Sequence, residues 1–229
     1  MTAENVNSGV APPLLVAAMV SGPGRGSNLG ALIEGSTSGG CGCRIALVIG
    51  TRADALALDR ARAAGVAVTV ISPRKYEDDD AAYGQALLRT LNRHGIGLIC
   101  LAGYMRKLPP SLVSHFHGRI MNIHPALLPF FGGQGMYGEH VHQAVLDSGM
   151  KVSGCTVHFV DEHYDTGPII LQATVPVEED DTSATLGQRV LRAEHATYFR
   201  AVQLFAEGRL TIQGSRVRVL PTKDIGDAL

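Results

Sequence analysis

Four short apolar runs alternate with helix-length segments through the first hundred residues, and this alternation limits the fold more than any other feature. Residues 14–20, 44–50, 66–71 and 98–102 read as strands. Between them lie a helix beginning near Asn28, a helix over 53–64 closed by Gly65, and a helix over 81–93 closed near Gly95. Strands separated by helices of this length imply a parallel sheet with helices on both faces. The strands show little polar alternation, which fits burial on both sides. The pattern changes after residue 102. A short strand over 119–123 runs into His124-Pro125, and a Gly-rich stretch over 131–138 leads into a helix over 139–147. Residues 151–160 and 168–177 read as an antiparallel hairpin around a loop at 161–167. A long helix over 183–207 is capped near Thr182 and stopped by Gly208. No Pro/Ser-rich linker divides the chain, which predicts one α/β domain over 13–212 with a cleft between its halves. A disordered lead-in is expected at 1–12 and a C-terminal tail at 213–229.

Composition narrows the function. The 229 residues are 45% hydrophobic and 18% charged, an ordinary globular balance with ample length for a sizeable core. A formal net charge of −1 argues against a nucleic-acid partner, which needs a basic excess. No apolar run approaches the roughly 18 residues of a membrane span. The N-terminus lacks the basic and apolar regions of a signal peptide, so a cytoplasmic protein is expected. Cys41, Cys43, Cys100 and Cys155 are irregularly spaced and read as free thiols.

Three segments carry chemistry. After the first strand comes Ser21-Gly-Pro-Gly-Arg-Gly-Ser-Asn-Leu29. Glycines let a backbone approach a ligand, and the amides of the following helix N-terminus favour an anion. The turn has no Gly-Lys-Ser/Thr, and the second strand ends Ile49-Gly-Thr-Arg52 without an acidic residue. Neither a Walker loop nor a dinucleotide fingerprint is therefore present, and a single phosphate fits better. In Met121-Asn-Ile-His-Pro125, Asn122 and His124 are two apart and project to one side of an extended strand end. An amide and an imidazole aimed at one point suit a carbonyl becoming an oxyanion. On this segment alone, a hydrogen-bonded strand-end histidine accounts for the pattern equally well. Asp165, just before Thr-Gly-Pro, offers a carboxylate that would orient His124; a solvated acidic loop is the plainer reading. Glu194 lies one step off the helical stripe Leu186, Val190, Ala193, which suits a polar partner facing the core and a glutamate at the helix rim equally well. His115/His117 and His140/His142 lack companion acids at ligand spacing and read as surface histidines, so no metal is expected.

Taken together, these motifs resemble the folate-dependent formyl transferases, and among them the phosphoribosylglycinamide formyltransferase branch. The resemblance runs from Leu14 to about Leu210 through Gly-Ser-Asn-Leu (26–29), Leu-Ala-Gly-Tyr-Met-Arg (101–106), Asn-Ile-His-Pro-Ala-Leu-Leu-Pro (122–129), Gly-Met-Tyr-Gly (135–138), Thr-Val-His-Phe-Val-Asp (156–161), Asp-Thr-Gly-Pro-Ile (165–169) and Glu-His (194–195). It implies the single-domain formyltransferase fold, with a phosphate-binding half over 13–103 and a folate-binding, catalytic half over 104–212. It implies Asn122, His124 and Asp165 as catalytic groups, and Gly26, Ser27, Asn28 and Glu194 as acceptor contacts. It places Met105, Arg106, Lys107, Leu108, Asp161, Glu162, His163 and Tyr164, with Asn122 and Asp165, around the folate. The implied reaction moves a formyl group from 10-formyltetrahydrofolate, a cosubstrate, to the amine of 5-phosphoribosylglycinamide in de novo purine biosynthesis. The partners are then small molecules, with neither nucleic acid nor membrane among them; a homodimer stays open.

Two departures stand out. The phosphate turn is expanded by two residues around Pro23-Gly24-Arg25, and Asp80 stands where some relatives carry an arginine for the folate tail, with Arg74 or Lys75 as substitutes. The rival with the same triad is a 10-formyltetrahydrofolate hydrolase. A regulatory domain is expected ahead of the first strand in that enzyme, and about a dozen residues stand there.

Overall fold

The computed structural model describes residues 12–22, 24–38, 41–77 and 79–222. The lead-in at 1–12 lies outside these apart from Pro12, as do Pro23 of the Gly-rich turn and residues 223–229. Nine strands form one sheet: β1 (Leu14–Val20), β2 (Cys43–Gly50), β3 (Ala67–Val70), β4 (Leu98–Leu101), β5 (Ile120–His124), β6 (Val152–Phe159), β7 (Ile169–Pro176), β8 (Leu210–Gln213) and β9 (Arg216–Val219). Their order is β3-β2-β1-β4-β5-β6-β7-β9-β8. Strands β3 through β5 are parallel, as the alternation predicts, and β5, β6 and β7 are antiparallel to one another in turn. The chain starts at β1, winds outward to β3, then crosses to β4. Strand order therefore reverses at β1 and β4, and ligands of open α/β sheets bind outside the carboxyl ends at such a point.

Helices α1 (Ser27–Thr37), α2 (Leu56–Ala63), α3 (Asp80–Arg93), α4 (Pro110–His115), α5 (Glu139–Asp147) and α6 (Ser183–Ala206) cover both faces. Alternate residues of one strand feed separate cores. Val16, Ala18 and Val20 pack with Leu29, Leu58, Val145, Leu186 and Val190 from α1, α2, α5 and α6. Ala17 and Met19 pack with Leu87 and Leu91 from α3, Leu112 from α4 and Phe116 just past its end. Both faces being dry explains why the strands lack polar alternation.

Helix α6 opens with a capping box in which Thr182 and Thr185 satisfy each other's backbone. Its buried residues are Leu186, Val190, Glu194, Tyr198, Ala201, Val202 and Leu204, so Glu194 belongs to the inward stripe rather than one step off it. Tyr198 is fully buried, and its hydroxyl is shared between the carbonyls of Leu101 (3.0 Å) and Met121 (2.9 Å). That bond ties the ends of β4 and β5 together just before Asn122.

The boundaries differ from expectation in a few places. Helix α2 begins at Leu56, because residues 51–54 form a turn held by the Arg52–Asp54 pair. A 3₁₀ turn, Pro73–Tyr76, and α4 were not expected; both open on proline and are too short for helical periodicity to register. Strand β9 and the end of β8 occupy positions assigned to a tail. The hairpin β8–β9 turns at Gly214-Ser215 and joins the sheet through β9 beside β7. All four cysteines are free and buried. Among the described residues, no helix is long and apolar enough to cross a membrane.

Candidate active site

A cleft of about 760 Å³ opens at the carboxyl ends of β1, β4 and β5, under α6. Its centre is built by β5. Asn122 and His124 project to one side of that strand's end, and both reach Asp165, which arrives from the β6–β7 loop. Asn122 Nδ2 lies 3.5 Å from Asp165 Oδ1, and His124 Nδ1 lies 3.5 Å from Oδ2. Gly133 N–H donates to Oδ2 at 2.9 Å. Asp165 sits in the left-handed region, at φ 57°. Its loop is pressed onto β6 at Gly167, where a Cβ would stand 1.9 Å from the Phe159 carbonyl oxygen. A side chain at 167 would therefore push the loop, and Asp165 with it, away from the strand end.

His124 is 3% exposed. Its Nε2 lies 2.8 Å from the Phe131 carbonyl, which can only accept, so Nε2 carries the proton and Nδ1 faces the carboxylate. Burial lowers the pKa of His124, against the pull of Asp165 and the Phe131 carbonyl, so the ring is poised neutral with a vacant nitrogen toward Asp165. Burial alone would raise Asp165, but the neighbouring imidazoles of His158 and His124 and the Gly133 amide bring it below the usual carboxylate value.

His158 has no role assigned by its motif, yet it is 2% exposed and stands opposite Asn122 across the β5–β6 ladder. Its Nδ1 donates to the Phe159 carbonyl at 2.8 Å, which leaves Nε2 to accept from Asn122 Nδ2 at 3.2 Å. One amide hydrogen of Asn122 is thereby fixed on His158. The other points toward Asp165 and the cleft. The signal for His158 is strand register, which a linear motif does not display.

At the other end of the cleft stands Asn28, on the first turn of α1 after the Gly-rich turn. Ser21 and Gly22 N–H donate to the Gly103 carbonyl at 3.2 and 3.1 Å, and Ser21 Oγ accepts from Met105 N–H at 2.6 Å. Gly26 caps α1 at φ 69°, and a Cβ there would stand 2.7 Å from Ala57 Cβ. Asn28 Nδ2 donates to Glu194 Oε2 at 2.9 Å. Burial drives the Glu194 carboxyl up to about 7, with the Asn28 amide opposing. Asn28 and Glu194 both line the cleft, whereas Gly26 and Ser27 do not reach its wall.

Met105, Arg106, Lys107 and Leu108 line the cleft, as do Asp161, His163 and Tyr164. Glu162 points outward and is no part of the wall. Asp161 accepts from His163 N–H and Thr166 Oγ, so its carboxylate shapes the loop. Met105, Tyr137 and Tyr164 are large, exposed and at the cleft wall, an apolar rim. Asp80, Arg74 and Lys75 do not line it. His115, His117 and His140 are exposed, but His142 is buried in the cleft wall, a correction to its reading as a surface residue. Its position on α5 turns it toward α6. Among the described residues, no cluster of three or more His, Cys, Asp or Glu is arranged to hold a metal ion.

Such a site, an amide, an imidazole and a carboxylate at the strand ends of a doubly covered sheet, has counterparts. A family model described as formyl transferase matches residues 16–202, and the chain belongs to that family. More particularly, it is 40% identical over 204 residues to the chloroplastic phosphoribosylglycinamide formyltransferase of Arabidopsis thaliana, covering 89% of this chain and 70% of that protein. It is 41% identical over 197 residues to the human trifunctional purine biosynthetic protein adenosine-3, covering 86% of this chain and 19% of that one. The crystal structure of glycinamide ribonucleotide transformylase 1 from Symbiobacterium toebii superposes with a TM-score of 0.86 at 45% identity, covering 93% of this chain and 96% of the other.

Proposed function

We propose that this protein transfers the formyl group of 10-formyltetrahydrofolate to the amine of 5-phosphoribosylglycinamide, giving formylglycinamide ribonucleotide and tetrahydrofolate. The observation that carries the reading is the convergence of Asn122, His124 and Asp165 in a cleft whose far end holds Asn28 and Glu194 beside the N-terminus of α1. The phosphate docks at Gly26, Ser27 and Asn28, where helix amides point outward. Glu194 contacts the sugar end of the acceptor. The folate lies along Met105 to Leu108 and the 161–165 loop, its aromatic part covered by the exposed rim of Met105, Tyr137 and Tyr164.

The acceptor nitrogen attacks the formyl carbon, a C–N bond forms, and the carbonyl electron pair moves onto oxygen. The Asn122 amide hydrogen that faces Asp165 and the cleft donates to that oxyanion. The proton lost by the amine passes to Nδ1 of His124, where the neighbouring Asp165 carboxylate stabilises the resulting cation. Collapse breaks the bond from the formyl carbon to the folate nitrogen, which takes the proton as tetrahydrofolate leaves. No metal is called for, because amide and imidazole supply both charge stabilisation and proton transfer. Purified protein given 10-formyltetrahydrofolate and a panel of phosphorylated amines should formylate phosphoribosylglycinamide in preference to the rest. Preference for a different amine would overturn the assignment.

A further inference from the structure

His142 is an unexplained group in the cleft wall. It is 8% exposed, and its Nδ1 is buried without a partner. Among the described residues, neither ring nitrogen hydrogen-bonds to protein. A buried polar group left unpaired costs stability, and native structures rarely keep one without a reason. The setting is also built around the ring. On α6, a Cβ at Gly187 would meet His142 Cδ2 at 3.0 Å and Nε2 at 3.2 Å, so the missing side chain makes the slot in which the imidazole lies. Gly187, Val190, Leu191 and Glu194 all line the cleft along this side of α6. Gly187 is two turns from Glu194, roughly 10 Å along the axis. That is the span of a small phosphorylated sugar derivative rather than of a separate site.

We propose that His142 is a positioning residue for the acceptor, donating from Nε2 to a hydroxyl or amide oxygen between its phosphate and its amine. This rests on the acceptor assignment given under the proposed function. Burial lowers the pKa of His142, against the Glu139 carboxylate, and neighbouring His124 lowers it further, so the ring is neutral. A neutral imidazole carries one proton. Nδ1 is sealed away from the cleft, so contact with a ligand falls to Nε2, and the tautomer protonated there makes it a donor. The donor is then the atom beside Gly187, facing the stripe that runs to Glu194.

The test is a pair of substitutions read by steady-state kinetics with both substrates varied. His142→Leu keeps apolar volume and removes both nitrogens; it should raise the acceptor KM about five- to tenfold, the loss of one neutral hydrogen bond, and leave the folate KM within twofold. His142→Gln restores a donor near the position of Nε2 and should recover most of that loss. Because His142→Leu removes an unpaired polar group, its melting temperature in the absence of substrate should equal or exceed that of the parent. An acceptor KM within twofold of the parent in His142→Leu, or a Gln variant no better than Leu, would overturn the proposal. So would a folate KM that shifts in place of the acceptor's. Turnover by the parent protein is measured first, so failure of the transferase reading is seen separately from failure of the His142 assignment.

Discussion

Replacing Glu194 with Gln should stabilise the free protein in proportion to pH while weakening its hold on the acceptor. The carboxyl is 6% exposed, and its hydrogen-bonding partner is the Asn28 amide at 2.9 Å. Burial raises it from an ordinary value of 4.5 to about 7. A group whose folded value lies above its unfolded value lends stability that is complete below pH 4.5 and is lost as pH rises through about 7. Between those limits the native state binds the extra proton, and each pH unit is worth at most about 1.4 kcal/mol. The wild-type protein should therefore lose about 3 kcal/mol at this residue on going from pH 4.5 to pH 8. Glutamine is neutral throughout, and its carbonyl still accepts from Asn28. Urea unfolding of both proteins across that range isolates the effect, because the other titrating groups cancel in the difference. The variant should be nearly level with the parent at the acid end and more stable by about 3 kcal/mol at the alkaline end. A flat difference, or one that grows toward acid, would refute the reasoning. A rise in acceptor KM in the same variant would show why a costly buried acid is kept.

Two further outcomes follow from the site. His124→Ala and Asp165→Asn should each lower kcat on the order of a hundredfold or more, as loss of a general acid–base group usually does, with the fold retained; near-normal turnover would remove that residue from the mechanism. Gly26→Ala places a side chain at φ 69° and 2.7 Å from Ala57 Cβ, so it should cost about 1–2 kcal/mol or more in unfolding free energy and raise the acceptor KM. A melt and an acceptor titration matching the parent would show that the turn needs no glycine there.

Much of this architecture was legible along the chain. The parallel half follows from apolar runs at helix-length spacing, and α5 matches its sequence reading at both ends because Gly138 and Ser148 bracket a clean amphipathic period. The pairing of His124 with Asp165 followed from residue chemistry and motif, and the two stand 3.5 Å apart across 41 positions. What escaped depends on three-dimensional register. His158 matters because β6 lies antiparallel to β5 with 158 opposite 122. His142 looked like a surface residue because its burial comes from α6 passing over it, forty residues later. Hairpin β8–β9 carried a local signal, Gly-Ser between alternating residues, but four-residue strands are too short to stand out from a tail.

The central claim is that the cleft serves transfer to an acceptor rather than to water. Both reactions need an oxyanion site and proton transfer, so the triad cannot separate them; the acceptor end of the cleft can. Holding amine and formyl carbon together supplies acceleration that water attacking alone does not share in full. The direct measurement is the rate of 10-formyltetrahydrofolate deformylation, followed spectroscopically, with and without phosphoribosylglycinamide. The account predicts rapid turnover with the acceptor present and little without it. Equal rates in the two assays would mean a hydrolase and would contradict the account.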